Sequence, residues 1–293
     1  MTLLERDGFL AQLHDRWAET RAGSGRLVFI EGEAGIGKTT VLQAFAASVR
    51  AHSPVYWGAC EAMATPRPLG ALDDIAIDSG GKLAVARDGS GERYRLFVAF
   101  VDLLAERPAL AVLEDVHWAD EATLDLLRYA GRRIARTRSL LVASFRNDEV
   151  TPSHPLRAVL GDLATAGASR LALQPLSLAA VQSLCADTGV DPMALHEQTA
   201  GNPFFVTEVL AATVRTTPGV PATVQDAVLA RAGRLSPSAR AVLDAAAVAG
   251  PRAEAWLLHE LTAAESGSIE ECLATGVLRA EGAAYAFRHE LAR

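Results

Sequence analysis

Eight consecutive residues near the N-terminus constrain the fold of this chain more than any other segment. They are Gly32, Glu33, Ala34, Gly35, Ile36, Gly37, Lys38 and Thr39, and they match the pattern G-x-x-x-x-G-K-[ST]. An apolar run, residues 27–30, precedes them, and a segment with helical spacing, residues 40–49, follows. Because this motif works between a strand and a helix, its position predicts a phosphate-binding loop in an α/β fold.

Each part of this loop has a chemical task. Its glycines allow a tight turn whose backbone N–H groups point at phosphates, and the positive end of the following helix dipole points the same way. The Lys38 ammonium is expected to reach the β and γ phosphates, and the Thr39 hydroxyl is expected to ligate Mg²⁺. The predicted nucleotide-binding residues here are Gly32, Ala34, Gly35, Ile36, Gly37, Lys38, Thr39 and Thr40.

A second acidic element follows the run of apolar residues 109–113, which ends in Glu114 and Asp115. This pattern is typical of a buried central strand that ends at the carboxyl edge of a parallel sheet, where ligands bind. We predict both acids as catalytic residues, and Thr39 and Asp115 as the metal ligands. The choice between the acids stays open, because Asp usually comes first in such motifs and here Glu does.

A third element, residues 139–145, predicts another buried strand, and it delivers Arg146 to the same edge of the sheet. The Arg146 guanidinium is a candidate catalytic group that could sense the γ-phosphate. The alternative is a solvated surface charge.

The pattern of apolar runs predicts the architecture. Five short runs, at residues 27–31, 55–59, 110–113, 140–145 and 171–173, alternate with helical segments at 39–50, 94–104 and 121–134. Such alternation indicates a mostly parallel sheet with helices on both faces, as in a P-loop NTPase. We therefore predict a nucleotide-binding domain over residues 1–176.

After Pro175 the strand signals stop and helical segments follow. We predict a helical lid over residues 177–235. The last block, residues 236–293, begins with Ser236 as an N-cap followed by proline, and it shows three helices and then a hairpin at 277–280 and 285–288. This order predicts a winged-helix domain, which we expect to be truncated.

Charge argues against nucleic-acid binding by this last block. Its five Arg and no Lys stand against eight acidic residues, a net charge of −3, and its candidate recognition helix carries Glu270 and Glu271. Phosphate contacts by Lys and Arg supply most nonspecific DNA affinity, so we interpret the block as a switch domain. The whole chain also carries a formal net charge of −7.

Neither the cysteines nor the apolar segments indicate an exported or membrane protein. Cys60, Cys185 and Cys272 lie far apart without a C-x-x-C pair, as expected of reduced thiols. The N-terminus lacks the basic, apolar start of a secretory signal, and no stretch approaches about 18 consecutive apolar residues. We therefore expect a cytoplasmic protein without membrane contact.

Three further segments resemble one known family. Residues 113–120 (LEDVHWAD), 145–149 (FRNDE) and 201–205 (GNPFF) resemble the ATPase core of large LuxR-type transcriptional regulators. These MalT-like proteins belong to the STAND class of signal-transduction ATPases, within the wider AAA+ group. The resemblance covers essentially the whole chain, from residues 4–6 to residues 287–291.

The resemblance implies roles for residues outside the phosphate loop. Gly201, Asn202 and Pro203 look like the lid motif whose proline packs beside adenine, although Asn-Pro is also an ordinary helix start. His289 is similar to the histidine that touches the β-phosphate of bound ADP, and the alternative is a histidine packed at the wing. His117 and Trp118 would support the acidic strand end.

The function implied by the resemblance is an ATP- and ADP-binding regulatory switch, in which slow Mg²⁺-dependent hydrolysis controls domain arrangement. Its expected partners are an inducer or regulatory protein, and further copies of the chain in the ATP state. DNA would be bound only through a C-terminal domain, which does not follow Arg293, so we expect an excised fragment. The alternatives are a rapidly turning over AAA+ motor or P-loop kinase, and a DNA-binding module.

Overall fold

The structure is a computed structural model of the chain, and it describes residues 3–63, 67–80, 83, 92–214, 220–262 and 266–293. The chain forms two compact units. The first consists of Met1–Glu33 and Gly37–Leu173, and the second of Ala34–Ile36 and Gln174–Arg293. The division into three domains at residues 176 and 235 stays a prediction.

The first unit contains a five-stranded sheet, and every strand pair in it is parallel. Its strands are β1 (Arg26–Glu31), β2 (Val55–Ala59), β3 (Leu110–Glu114), β4 (Leu140–Phe145) and β5 (Ser169–Ala172). They lie in the order β2-β3-β4-β1-β5. This confirms the predicted parallel α/β sheet, and it places β4 between β1 and β3, so the residues that follow these three strands meet at one edge.

Helices of the first unit precede or connect these strands. They are α1 (Asp7–Arg21), α2 (Lys38–Arg50), α3 (Gly70–Asp78), α4 (Glu92–Glu106), α5 (Glu121–Gly131) and α6 (Pro155–Ala164). The predicted helix over residues 121–134 ends three residues early, at Gly131.

The central strands β3 and β4 support the edge of the sheet at which Glu114, Asp115 and Arg146 lie. Both are almost completely buried, and the run from Leu110 to Leu113 has no solvent exposure. Burial of each Leu or Val side chain contributes roughly 1.5–3 kcal/mol, so this part of the sheet is rigid. In β3, exposure begins at Glu114, which is where the apolar run ends.

Strand β2 is an edge of the sheet, and α3 covers its outer side. The backbone N–H of Trp57 donates to the Asp78 carboxylate at 3.0 Å, and that of Ala59 donates to Asp74 at 3.1 Å. These two carboxylates satisfy donors that an exposed edge strand would leave unpaired. Gly58 between them allows the close approach of α3.

We expect Gly58→Ala to destabilise the first unit by about 3 kcal/mol, the upper part of the range for overpacking. An added methyl group would lie 2.0 Å from the Ala71 carbonyl oxygen, which is backbone and cannot rotate away. Urea unfolding measures the loss. The matched control is Gly8→Ala in α1, where nothing lies within 4 Å of the added group. Equal unfolding midpoints for the two variants would show that α3 does not pack on β2 as described.

The second unit is helical at first and ends in a small sheet. Its elements are α7 (Leu178–Cys185), α8 (Pro192–Thr199), α9 (Pro203–Val214), α10 (Ala222–Ala232), α11 (Pro237–Ala249), β6 (Arg252–Glu254), α12 (Ala255–Thr262), α13 (Ser266–Ala274), β7 (Leu278–Glu281) and β8 (Ala284–Phe287). The last three strands pair antiparallel in the order β6-β8-β7.

The C-terminal part of this unit follows the predicted order of three helices and a hairpin, with one addition. Ser236 caps α11 by accepting from the Ala239 N–H, as its Ser-Pro sequence predicts. Strand β6 was not predicted, because three residues with a single buried side chain give too short a pattern. The winged-helix assignment stays a prediction. Among the described helices, none is long and apolar enough to cross a membrane.

Candidate functional site

The phosphate loop joins β1 to α2. Gly37 adopts φ 98°, in the left-handed region, and directly precedes α2, whose N-terminus is capped by no side chain of the described residues. Gly35 also has a positive φ, 80°. Because residues with a Cβ rarely adopt these angles, the glycines give the loop a shape that leaves first-turn N–H groups of α2 available to an anion.

Lys38 is the first residue of α2, and its side chain turns back into the loop. Its Nζ donates to the carbonyl oxygens of Gly32 at 2.8 Å and Glu33 at 2.9 Å. Only 7% of the residue is exposed. Burial lowers the pKa of the Lys38 ammonium to about 8, although the Asp115 carboxylate opposes this shift. The loop therefore holds a desolvated cation on two of its own carbonyls.

Glu114 is the acid that contacts the phosphate loop. Its Oε1 accepts from the Thr39 hydroxyl at 2.6 Å, and its Oε2 accepts from the Trp57 indole N–H at 3.0 Å. The hydroxyl and carboxylate oxygens thus meet at one point, and hard oxygen ligands of this kind suit Mg²⁺. This contact favours Glu114 over Asp115 as the metal-side acid.

Asp115 leaves the line of β3. Its backbone is left-handed, with φ 52° and ψ 43°, and its N–H donates to the Ser144 hydroxyl of β4 at 3.1 Å. Burial raises the pKa of the Asp115 carboxyl, while Arg146 and Lys38 lower it. The two acids that are neighbours in sequence therefore have different partners: Glu114 contacts Thr39 and Trp57, whereas Asp115 contacts Ser144 and lies near Arg146.

Arg146 follows β4 and is not a freely solvated charge. Its Nη1 donates to Glu149 Oε1 at 2.6 Å, and its Nη2 lies 4.0 Å from Asp115 Oδ2. The guanidinium carbon lies 4.4 Å from the centre of the Trp118 ring, and the Trp118 indole N–H donates to Glu149 Oε2 at 3.1 Å. Arg146 is therefore oriented by Glu149 and Trp118 together.

The fully buried side chain of His117 lies between the carboxylates of Asp115 and Glu149. Its Nδ1 is 3.8 Å from Asp115 Oδ1, and its Nε2 is 3.6 Å from Glu149 Oε2, distances too long for hydrogen bonds. Burial lowers the pKa of His117 to about 3, so its imidazole is neutral and forms no ion pair with either carboxylate. His154 Nδ1 accepts from the Leu156 N–H, so the ring proton is on Nε2, which donates to the His117 carbonyl oxygen at 3.1 Å.

In the second unit, Pro203 begins α9 and is half buried. The preceding Asn202 is completely buried, and its amide donates to the Ala34 carbonyl at 3.0 Å while its Oδ1 accepts from the Phe204 N–H at 3.1 Å. The Phe204 N–H also lies 3.2 Å from the Gly35 carbonyl. The role of Pro203 towards adenine stays a prediction.

His289 also belongs to the second unit. Its Nδ1 lies 3.0 Å from the Thr199 carbonyl, and its ring centre is 4.7 Å from that of Phe205. It is 3% exposed and directly precedes the turn Glu290–Ala292. His289 therefore packs against the end of α8 and against α9. Its contact with a phosphate stays a prediction, and so does the alternative of packing at the wing.

The first unit brings together Lys38, Thr39, Glu114, Asp115 and Arg146, all of which were singled out from the sequence. Trp57 and Glu149 contact these residues through their side chains and were given no role from the sequence. Trp57 carried no signal, because it is one aromatic residue in an apolar strand. Glu149 could have been found, since it stands three residues after Arg146 in the quoted FRNDE segment.

The comparison with family models decides what this arrangement is. Residues 2–143 match the model of the AAA ATPase domain. Over these residues, just under half of the chain, the sequence is similar to an AAA-type P-loop ATPase domain. The match covers β1, the phosphate loop and the acidic end of β3, so nucleotide binding belongs to this domain.

Solved structures share the fold. The domain and the residues after it are similar to the Walker-type ATPase PABY2304 of Pyrococcus abyssi, with TM-score 0.66, 12% identity and coverage of 99% of this chain and 95% of that one. The ORC2 protein of Aeropyrum pernix, in ADPNP and ADP complexes, gives TM-score 0.65 and 16% identity over 97% and 90%. CDC6P of Pyrobaculum aerophilum gives 0.56 and 14% over 99% and 92%.

One curated relative is similar in sequence. The uncharacterized protein R02095 of Rhizobium meliloti (strain 1021) is 28% identical over 219 residues, which is 59% of this chain. The matched region spans only 20% of that protein's length.

Proposed function

We propose that this chain is a nucleotide-state switch that binds ATP and ADP with Mg²⁺ and hydrolyses ATP slowly. The observation that carries the proposal is the convergence of the phosphate loop, the Thr39–Glu114 contact and the Asp115–Arg146 pair at one sheet edge. The finer proposal, based on the sequence resemblance, is that the switch is part of a large LuxR-type transcriptional regulator. An inducer or regulatory protein would then set its nucleotide state.

Binding uses groups that the free chain already holds in place. The Lys38 ammonium would exchange the carbonyls of Gly32 and Glu33 for β and γ phosphate oxygens, a stronger charge-assisted contact. The open N-terminus of α2 would add backbone N–H groups and the positive end of its dipole. Both contributions grow with the negative charge of the ligand, which favours a triphosphate.

The metal would be held by Thr39 and Glu114, because their oxygens already meet at 2.6 Å. When bound with the nucleotide, Mg²⁺ supplies charge neutralisation for the phosphate oxygens. The sequence-based prediction gave Asp115 as a metal ligand and left the choice between the two acids open; the proposal here is Glu114. Asp115 then takes the proton of the attacking water, a role for which its raised pKa suits it.

Slow hydrolysis is supported by the state of Arg146. Its guanidinium is engaged by Glu149 at 2.6 Å, so it must release or share this carboxylate before it can contact a γ-phosphate. In a regulatory switch, the ATP-bound state must last longer than it does in a motor or a kinase. The acidic C-terminal block, with Glu270 and Glu271, supports a switch role over DNA binding.

We expect ATP turnover by the purified chain well below the ~1–100 s⁻¹ typical of kinases. Steady-state phosphate release at saturating Mg²⁺ and ATP measures it, and extraction of the protein after gentle purification identifies the retained nucleotide. Retained ADP is the expected result. A turnover within the kinase range would reject the switch and favour the motor or kinase alternative.

A further inference from the structure

The side chain of Trp57, on the edge strand β2, contacts the acidic end of β3. Its indole N–H donates to Glu114 Oε2 at 3.0 Å, while the other oxygen of the same carboxylate accepts from Thr39 at 2.6 Å. The two oxygens of Glu114 therefore have separate partners, one on β2 and one on the phosphate loop.

The register of the sheet explains why the indole reaches this carboxylate. Trp57 pairs with Val112, and Glu114 lies two residues further along β3. Because side chains alternate along a strand, Val112 and Glu114 share a face of the sheet with Trp57. The backbone of Trp57 is fixed as well, since its N–H donates to Asp78 at 3.0 Å.

The chemistry of the contact restricts Glu114 in a specific way. Glutamate has one methylene more than the aspartate that usually leads this motif, so its carboxylate has an additional rotatable bond to fix. The indole N–H can only donate a hydrogen bond, so it does not accept a proton from the carboxyl group and cannot serve as a metal ligand. It holds one oxygen of Glu114 and leaves the other oxygen directed at Thr39.

We propose that Trp57 is a positioning residue for the metal-side carboxylate, which compensates for the longer side chain of Glu114. This inference rests on the proposed function, because it requires that Glu114 and Thr39 lie beside nucleotide-bound Mg²⁺. In this role Trp57 would act through Glu114 and would not itself bind the metal or the nucleotide.

The test is ATP binding by the full chain, measured by calorimetry over a series of Mg²⁺ concentrations and again in EDTA. Trp57→Phe should raise the Mg²⁺ concentration that gives half of the metal-dependent gain in ATP affinity by about tenfold, the effect of losing one hydrogen bond to a charged group. ATP affinity in EDTA should stay within about twofold, because the indole N–H donates to Glu114, whereas the Lys38 ammonium is held by the carbonyls of Gly32 and Glu33.

A double-mutant cycle shows whether the effect passes through Glu114. Glu114→Asp shortens the side chain and should by itself shift the Mg²⁺ dependence. Adding Trp57→Phe to Glu114→Asp should then change it by less than about twofold, because the contact is already lost. Full additivity of the two shifts would overturn the inference.

Trp256→Phe is the matched control, since Trp256 is 66% exposed on α12 and belongs to the second unit. It should leave the Mg²⁺ dependence unchanged. A purely structural role for Trp57 would lower the urea midpoint and ATP affinity in EDTA together, without a selective Mg²⁺ shift, and would overturn the inference. If the wild-type chain shows no Mg²⁺-dependent ATP binding, the proposed function fails; if it does and Trp57→Phe matches it, only the positioning role fails.

Discussion

Replacing Lys38 by alanine is expected to weaken ATP binding by about a hundredfold to a thousandfold. The ammonium would contact two phosphate groups, and hydrogen bonds between charged partners contribute roughly 1.5–3 kcal/mol each. Lys38 is the first residue of α2 and is buried inside the loop, so no solvated cation can take its place. Calorimetric titration with ATP and Mg²⁺ measures the loss.

Alanine also leaves space in the loop and removes the donor to the Gly32 and Glu33 carbonyls. Lys38→Met separates these effects, because methionine fills most of the volume without the charge. Both variants should lose affinity alike if the charge is what matters. Arg50→Ala is the matched control, since it removes an exposed cation from the last turn of the same helix. Retention of ATP binding by Lys38→Met would locate the nucleotide elsewhere.

Local sequence patterns were sufficient to locate the strands of the parallel sheet and the phosphate loop. Four apolar residues before two acids define β3, and the motif ending in Lys38 and Thr39 fixes where α2 begins. Helix α1 was not predicted, although its buried residues Phe9, Leu13 and Trp17 recur every fourth position. That spacing is a helical signal, and it could have been used.

The roles of the two acids could not be separated from the sequence alone. The roles depend on the left-handed backbone of Asp115, which turns this residue out of the strand while Glu114 remains in it. They also depend on contacts between residues that lie far apart in the chain. The bond from Trp57 to Glu114 spans 57 positions, and the bond from Thr39 spans 75. Such pairs follow from strand order and register, which no local pattern encodes.

The exchange of Asp115 for asparagine should separate binding from chemistry. We expect ATP turnover to fall by about 10²–10⁴-fold, the usual contribution of a general base, because an amide cannot accept the proton of the attacking water. Affinity for ATP with Mg²⁺ should change by only a few fold, since Thr39 and Glu114 keep the metal side intact. Single-turnover hydrolysis and calorimetry, measured on the same preparation, give the two quantities.

Asparagine is the appropriate replacement because the position is left-handed, with φ 52° and ψ 43°. Asp and Asn tolerate this conformation better than other residues with a Cβ, so Asp115→Asn adds no backbone strain, whereas Asp115→Ala would. The matched control is Asp125→Asn on α5, which removes a partly exposed carboxylate paired with Arg128. If Asp115→Asn hydrolyses ATP as fast as this control, Asp115 is not the base, and the hydrolysis mechanism proposed for this sheet edge is wrong.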